Sequence, residues 1–537
     1  MTSLSATMAS HKHKNLFIFV VFVFFSFIAY FPAIHGYYLL GDDLNLWTMN
    51  ANKDCNSFYA YQYLSDMGRP FFNLLTCAYG NFIDSIFDAR YVRGLSICFT
   101  ALFGYIVYQC LCYTPINRLH SFLLSIAILT LPPYQISVNG IVYQAYIISG
   151  LLSVGAFYIA LNKWKPSNVW WKSLPNGYVG LSILMLVSAL MTHQIRAMFY
   201  WTIFGGILFM LNTESWPKWR GKIYYLFTIN LIAIGIYFVY AKLNFLFNAK
   251  VITQTTQHAI ILSSNIIEKL EWFMSVSLIA SLNLWQLSPN AYTAWWGATI
   301  ILAGLVVVLI RHFTISTKQP WHSKAILFNL ERTGMLIGLL VLSYLPALAA
   351  ANTNTAAFRT YSTLMPFIVF ALYWGAHNCL LVVPDKVRKG VLTSLLAVAA
   401  IFGALNSQYN SIYFFNLGLS IELRQILSGL HSADLKNYDR IHIFMNDRSK
   451  VLSLSAPWSV DSPPAQGGEF GYYHGWNEHN VRMMTLAVQP ELPENKRNEF
   501  KKLYSPPRKV SAGFKSDYEP FQDRVLLIDL TKLVHFY

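Results

Sequence analysis

Asn15-Leu-Phe-Ile-Phe-Val-Val-Phe-Val-Phe-Phe-Ser-Phe-Ile-Ala-Tyr-Phe-Pro-Ala-Ile34 is a run of 20 residues without a single charge. A helix rising about 1.5 Å per residue needs roughly 20 apolar residues to cross a hydrocarbon core about 30 Å thick. Lys12 and Lys14 precede the run, and Gly41-Asp42-Asp43 follows it. It is too long for the apolar core of a secretion signal and shows no small-residue cleavage site, so it reads as a retained first span. The rest of the chain is of the same kind. Of 537 residues, 55% are hydrophobic and 12% are charged, where a soluble domain carries about 25% charged residues. An aromatic share of 16% suits the membrane interface, where amphipathic rings settle at headgroup level.

Working outward from the first run, ten more apolar segments read as spans: 94–113, 119–131, 143–161, 179–191, 198–211, 223–247, 293–310, 334–351, 361–383 and 391–405. Residues 71–83 are apolar but short, and are expected to lie along the interface. Residues 248–292 are mixed, and read as amphipathic helices or a shallow extra span. The expected fold class is an α-helical polytopic membrane protein of about eleven spans over residues 1–405, with a first outer loop at 35–90. From residue 406 the composition changes. A helical stretch at 421–430 and two short apolar strands at 440–445 and 524–529 predict a small α/β domain over 406–537. No short-period repeat is present, and no inverted repeat argues for a transporter.

Charge gives this path a direction. The net charge of +15 belongs almost wholly to the membrane part: residues 1–405 hold 25 Lys+Arg against 11 Asp+Glu, a balance of +14. Sixteen of those basic residues fall in loops that alternate with spans on the side of Lys12, accompanied by only Glu214, Glu331 and Asp385. This is the positive-inside pattern, not a nucleic-acid patch. It predicts that the Asp42-Asp43 loop, the Arg359 loop and the C-terminal region share the outer face. Six of the eleven acids of residues 1–405 lie in that first loop (Asp42, Asp43, Asp54, Asp66, Asp84, Asp88), and none occurs from 89 to 213.

Chemistry is therefore expected at the outer mouth. Adjacent carboxylates at Asp42 and Asp43 can act as general base on a hydroxyl or hold a divalent cation; the plain alternative is a solvated Gly-Asp turn. Arg69, in Gly68-Arg69-Pro70, and Arg359 are cations beside apolar segments, placed to clamp a phosphate or to anchor at lipid headgroups. His193, Gln194 and Arg196 form a polar cluster between two apolar segments, or simply a turn. Tyr134, Gln135, Asn139, Tyr143 and Gln144 lie in what reads as a loop after Pro132-Pro133, available to sugar hydroxyls. Six cysteines form no metal signature, and no metal site is assigned. Cys55 and Cys77 could pair on an oxidising side, although unpaired small hydrophobes are the preferred reading. No Walker loop, HExxH or nucleotide-binding glycine motif appears.

With those residues in place, the chain resembles the GT-C class of membrane glycosyltransferases, most of all bacterial glucosyltransferase-type proteins that modify O-antigen. The resemblance rests on one N-terminal helix, then Asp42-Asp43, then Gly68-Arg69-Pro70 before a short apolar stretch. It rests also on the number of spans, the late Arg359, and the C-terminal extracytoplasmic region. Such enzymes take a sugar from a polyprenyl-phosphate donor and pass it to a glycan or lipid-linked glycan acceptor. The resemblance implies a hexosyltransferase of the bacterial inner membrane with its site and C-terminal domain on the periplasmic side. By position it implies Asp42 or Asp43 as base, and Arg359, Arg69 and Arg196 at the donor phosphate. His193, Gln194, Tyr143 and Gln144 stand as further substrate contacts. It implies no required cofactor and no nucleic-acid partner, with membrane lipids as surroundings. Relatives often carry a basic residue soon after the paired acids; here Leu44-Asn45-Leu46-Trp47 follows. The alternatives are a lipid-linked glycan transporter or flippase, and a non-catalytic glycan-assembly protein.

Overall fold

The computed structural model describes residues 2–40, 43, 68–164, 176–212, 214–248, 266–286, 291–316, 322–349, 358–444, 484–504, 510–513 and 524–530. In chain order the main elements are α1 (Thr2–His35), α2 (Pro70–Asn81), α3 (Ala89–Leu111), α4 (Arg118–Leu129), α5 (Pro132–Asn139), α6 (Gln144–Lys163), α7 (Gly177–Thr192), α8 (Phe199–Met210) and α9 (Trp216–Asn248). After short helices between Ile266 and Leu282 come α10 (Ala291–Ser316), α11 (His322–Ser343), α12 (Leu364–Cys379), α13 (Asp385–Asn410) and α14 (Gly418–Ser432). The chain is a helical polytopic membrane protein. Among the described residues, seven helices are long and apolar enough to cross a membrane: Asn15–His35, Ile86–Leu111, Gln144–Lys163, Trp216–Asn244, Tyr292–Ile310, Leu364–Val382 and Asp385–Tyr413.

The other expected segments take different forms, each for a local reason. The run at 119–131 becomes α4 and α5, bent by 58° at their junction. Pro132 and Pro133 occupy the first positions of α5, where a missing N–H costs nothing. The supposed loop at 134–139 is thus a helix, and all of its residues are buried. The segments at 179–191 and 198–211 become α7, of 16 residues, and α8, of 12. At 1.5 Å per residue these measure about 24 and 18 Å. Every residue of α8 is buried, so it is a core helix, apolar on all sides because no side faces lipid. The expected interfacial stretch at 71–83 is α2, started by Pro70.

Contacts between helices show which ends lie together. Arg93, near the start of α3, bonds carbonyls of Ala33 and Gly36 beyond the middle of α1, while Phe22 packs on Tyr105 and Tyr108. Gln144 bonds Val92 and Tyr113 bonds Asn162, so α3 and α6 run parallel. Ser182 bonds Ala156 and Ser149 bonds Ala189, so α7 runs back along α6. The Tyr200 amide bonds Ser153 and Phe157 meets Phe204, so α8 turns forward again. Thr202 bonds Thr363 and Phe209 meets Trp374, which aligns α12 with α8. In α13, Thr393 meets His120 near the start of α4, while Asn410 reaches Gln135. The end of α1, the starts of α3 and α6, the 193–197 turn, the 358–363 turn and the end of α13 therefore gather at one end of the bundle. Arg118, Lys163, Lys218, Arg220, Arg332, Arg388 and Lys389 belong to the opposite end.

Beyond α14, strands β1 (Arg440–Phe444), β2 (Val510–Gly513) and β3 (Val525–Asp529) form a parallel sheet in the order β2-β1-β3. Ile441 stands opposite Val510 on one side and Leu526 on the other. Residues Ile441 to Phe444 of the central strand are all buried, as a parallel strand covered on both faces requires.

Candidate active site

The gathered end holds a buried carboxylate. Asp43 is 1% exposed. Its Oδ1 accepts the Val142 N–H at 2.9 Å, and its Oδ2 accepts the Leu40 N–H at 3.1 Å. Burial pushes the carboxyl up to about 6, while the Val142 amide, the Arg93 charge and the Leu40 and Ile141 amides limit the rise. A carboxylate poised near neutrality, and fixed by backbone donors, has the character of a general base. Asp42 lies outside the described residues, as do Cys55 and most of the first loop.

Arg93 fixes the backbone around Asp43. Fully buried, it donates from Nε to the Asn139 carbonyl at 3.0 Å, from Nη1 to Gly36 at 3.1 Å and from Nη2 to Tyr38 at 2.5 Å. The guanidinium also lies 3.7 Å from the centre of the Tyr38 ring, and the Tyr38 hydroxyl bonds Asn139 Oδ1 at 2.6 Å. One cation thus ties the chain after α1 to the end of α5. No motif in the sequence marks Arg93. A signal was available: a cation in the first turns of a helix opposes the helix dipole, so its placement asks for a local reason.

The second half of the site is built on the 193–197 turn. His193 caps the short helix Gln194–Ala197 by accepting the Arg196 N–H on Nδ1 at 3.2 Å. That bond assigns the proton to Nε2, and Nε2–H has no acceptor among the described residues. The imidazole packs on Tyr146 with ring centres 3.9 Å apart. Burial holds its pKa well below the usual value, and the charges of Arg69, Arg196 and Arg359 depress it further. Three arginines from three distant parts of the sequence therefore lie near enough to one neutral histidine for their charges to act on it.

Uncharged groups help to aim each arginine. Arg69 Nε donates to Gln194 Oε1 at 2.7 Å, and Gln194 Nε2 donates to Tyr237 Oη at 2.6 Å. Gly68 sits at φ +76°, and an added Cβ there would stand 2.7 Å from Tyr237 Oη. Both conditions call for glycine. Arg359 Nη1 donates to the Tyr143 hydroxyl at 3.1 Å. Tyr143 directly follows Val142, whose amide holds Asp43, so the carboxylate and the Arg359 contact are neighbours along one backbone. Arg196 is buried differently. Its Nη2 meets the Pro133 carbonyl and Ser137 Oγ, both at 2.7 Å, and its guanidinium covers the Tyr134 ring at 4.6 Å. Arg196 braces α5, whereas Arg69 and Arg359 are partly exposed.

The structure thus brings together Asp43, Arg69, Arg359, Arg196, His193, Gln194 and Tyr143. Gln144 is buried beside them, with Nε2 on the Val92 carbonyl at 3.4 Å and Oε1 without a partner among the described residues. Tyr134, Gln135 and Asn139 serve internal bonds of α5 and its neighbours. Sequence reasoning passed over Arg93, Tyr146 and Tyr237. The preferred reading of Cys55 and Cys77 as unpaired is corrected at Cys77, which is disulfide-bonded; Cys98, Cys110, Cys112 and Cys379 are free. Among the described residues no three His, Cys, Asp or Glu side chains come together as a metal site. No protein-family model matches the chain, and no curated protein is significantly similar to it.

Proposed function

We propose that this protein is a GT-C-like glycosyltransferase that moves a sugar, a hexose such as glucose, from a polyprenyl-phosphate donor to a glycan acceptor such as O-antigen. The observation that carries this reading is the convergence of Arg69, Arg196 and Arg359 near neutral His193, with Tyr143, the Arg359 partner, one residue along the backbone from the Val142 amide that holds Asp43. A phosphate leaving group needs its developing charge met by preorganised donors. Arg69, Arg359 and the Nε2–H of His193 supply them. The acceptor is a neutral hydroxyl and needs a carboxylate within hydrogen-bond reach. Asp43 takes that proton as the hydroxyl oxygen attacks the anomeric carbon and the bond to the lipid phosphate breaks. Gln194, Tyr143 and Gln144 orient the reacting groups.

The proposed topology places the Asp43 end on the periplasmic side of a bacterial inner membrane and the basic end in the cytoplasm. It is supported by the segregation of basic residues, which sets orientation in short loops, and by the disulfide of Cys77, a bond that persists in oxidising compartments. An eleven-pass path counts the bent α4–α5 pair, α7, α8 and α11 as passes, and leaves the C-terminal sheet on the outer side.

The test is sugar transfer from a polyprenyl-phosphate hexose by the purified full-length protein. Asp43→Asn is expected to lower turnover by about 10²- to 10⁴-fold, the usual worth of a positioned general base, while donor binding stays within threefold. Turnover at the parental rate would refute the assignment of Asp43.

A further inference from the structure

A cleft of about 640 Å³, lined by none of the arginines of the cluster, lies between the turn at 283–286, α10, α12 and α13. We infer that it is a second ligand site, which takes an uncharged amphiphile with a hydroxylated, glycosyl-type head. The inference goes beyond the proposed reaction and does not require that Asp43 be catalytic.

Three observations carry it. The first is charge: among the described residues no Lys, Arg, Asp, Glu or His lines the cleft, which disfavours ionic heads at a site of low dielectric. The second is a pair of aimed acceptors. Asn406 donates its Nδ2 to the Trp285 carbonyl at 3.0 Å, and Asn410 donates its own to Gln135 Oε1 at 2.7 Å. With both amide nitrogens committed, Asn406 Oδ1 and Asn410 Oδ1 remain, one helical turn apart on one face, without a donor among the described residues. Paired amide oxygens suit hydroxyl donors. The third is a gradient of polarity. Thr293, Asn406, Tyr409 and Asn410 lie toward the end of the bundle that also holds Asp43, while Ile300, Leu372 and Phe402 lie farther along their helices, deeper toward the middle of the bundle's length. A head-and-chain molecule fits that order; a free sugar would leave the deeper wall empty.

The wall is held in place at a cost that fits a binding role. Leu284 adopts φ 48°, a conformation unfavourable for a side chain with a Cβ, of the kind that tends to collect at functional sites. Trp285, next to it, is fixed by a bond from Nε1 to Thr130 Oγ1 at 3.0 Å. Thr130 is the junction of α4 and α5, so the cleft is anchored on the helix that also carries the Arg196 and Arg93 contacts.

The experiment uses the full-length protein in lipid nanodiscs and a dodecyl maltoside bearing a photoreactive diazirine in its chain. Labelling is expected on peptides holding Ile300, Leu372 or Phe402. Unlabelled dodecyl maltoside should compete, and dodecylphosphocholine or maltotriose should do so at least tenfold less well. Asn406→Leu removes one acceptor and should lower labelling at least fivefold. Gly297→Leu fills the cleft, since even a Cβ there stands 3.2 Å from Leu282 Cδ2; it leaves the amides in place and should have the same effect. Label spread over the bundle without competition overturns the site. Equal competition by dodecylphosphocholine reduces it to a chain groove and refutes the hydroxylated head. Equal competition by maltotriose refutes the amphiphile, and parental labelling of Gly297→Leu refutes the location.

Discussion

The two ends of the bundle meet positive charge differently, apart from Arg332 of the basic end, which donates to the Phe209 carbonyl. At the basic end, Asp385 pairs with Arg388 and, at 2.6 Å, with Lys389, and Glu331 meets Arg220 at 3.7 Å. These are ordinary ion pairs near solvent, each worth little. At the other end Arg93 and Arg196 are buried and Arg69 and Arg359 are half-buried. The partners that aim them are carbonyls, an amide and hydroxyls. Such groups fix the orientation of a guanidinium through directional hydrogen bonds. At the basic end carboxylates meet these cations near solvent, and at the Asp43 end polar neutral groups fix buried or half-buried guanidiniums.

The most direct way to break this contrast is to remove cations from each end in turn. Arg359→Ala and Arg69→Ala should each lower kcat/KM for a polyprenyl-phosphate donor by about 10- to 100-fold, since a charge-assisted hydrogen bond is worth about 1.5–3 kcal/mol. Arg388→Ala should change it by less than about twofold, as surface pairs contribute about 0–1 kcal/mol. Donor titrations of the three variants decide the matter. A loss at Arg388 equal to that at Arg359 would erase the distinction between the ends.

A smaller effect should follow from pH. The Asp43 carboxyl is raised to about 6 by burial, so it is protonated below that value and cannot accept the hydroxyl proton. Transfer should be level above pH 7 and fall about tenfold per unit below 6. Folding carries the opposite sign. The folded chain binds this proton more tightly than the unfolded one, so Asp43 favours the folded state at low pH, and that contribution is lost as pH rises from about 4 through 6. A rate that falls below 6 while thermal stability does not fall with it would separate the base from general acid unfolding. A rate flat from pH 7 to 5 would remove Asp43 from the mechanism.

How much of this was legible in the sequence depends on what each residue needs as a partner. Apolar runs announce themselves because a bilayer tolerates little else, and Arg69, Arg196, Arg359 and His193 stood out because charge in such a chain is costly. Arg93 has the same cost but was not resolved, because backbone carbonyls have no sequence signature. The 12 residues of α8 have the composition of a lipid-facing span and differ from one only in length and in being covered on every side. Pro132-Pro133 read as an ending, although the same residues suit a helix start. The junction at 130–132, and the cleft anchored on it, are matters of tertiary packing that no local pattern encodes.

The smallest expected effect is also the most local one, at Gly68. Its φ of +76° is unfavourable for any residue with a Cβ, and that Cβ would meet Tyr237 Oη at 2.7 Å. The same hydroxyl accepts from Gln194, which in turn accepts from Arg69 Nε. Gly68→Ala should therefore act on the aim of Arg69 by two routes, backbone strain of about 1–2 kcal/mol and displacement of the tyrosine. Donor KM should rise about fivefold with kcat nearly unchanged. The double variant Gly68→Ala with Tyr237→Phe separates the routes. Removing the hydroxyl relieves the contact but leaves the strain, so partial recovery assigns the remainder to φ. Full recovery would assign the whole effect to the contact, and no change in KM for Gly68→Ala alone would mean that Arg69 does not depend on this turn for its aim.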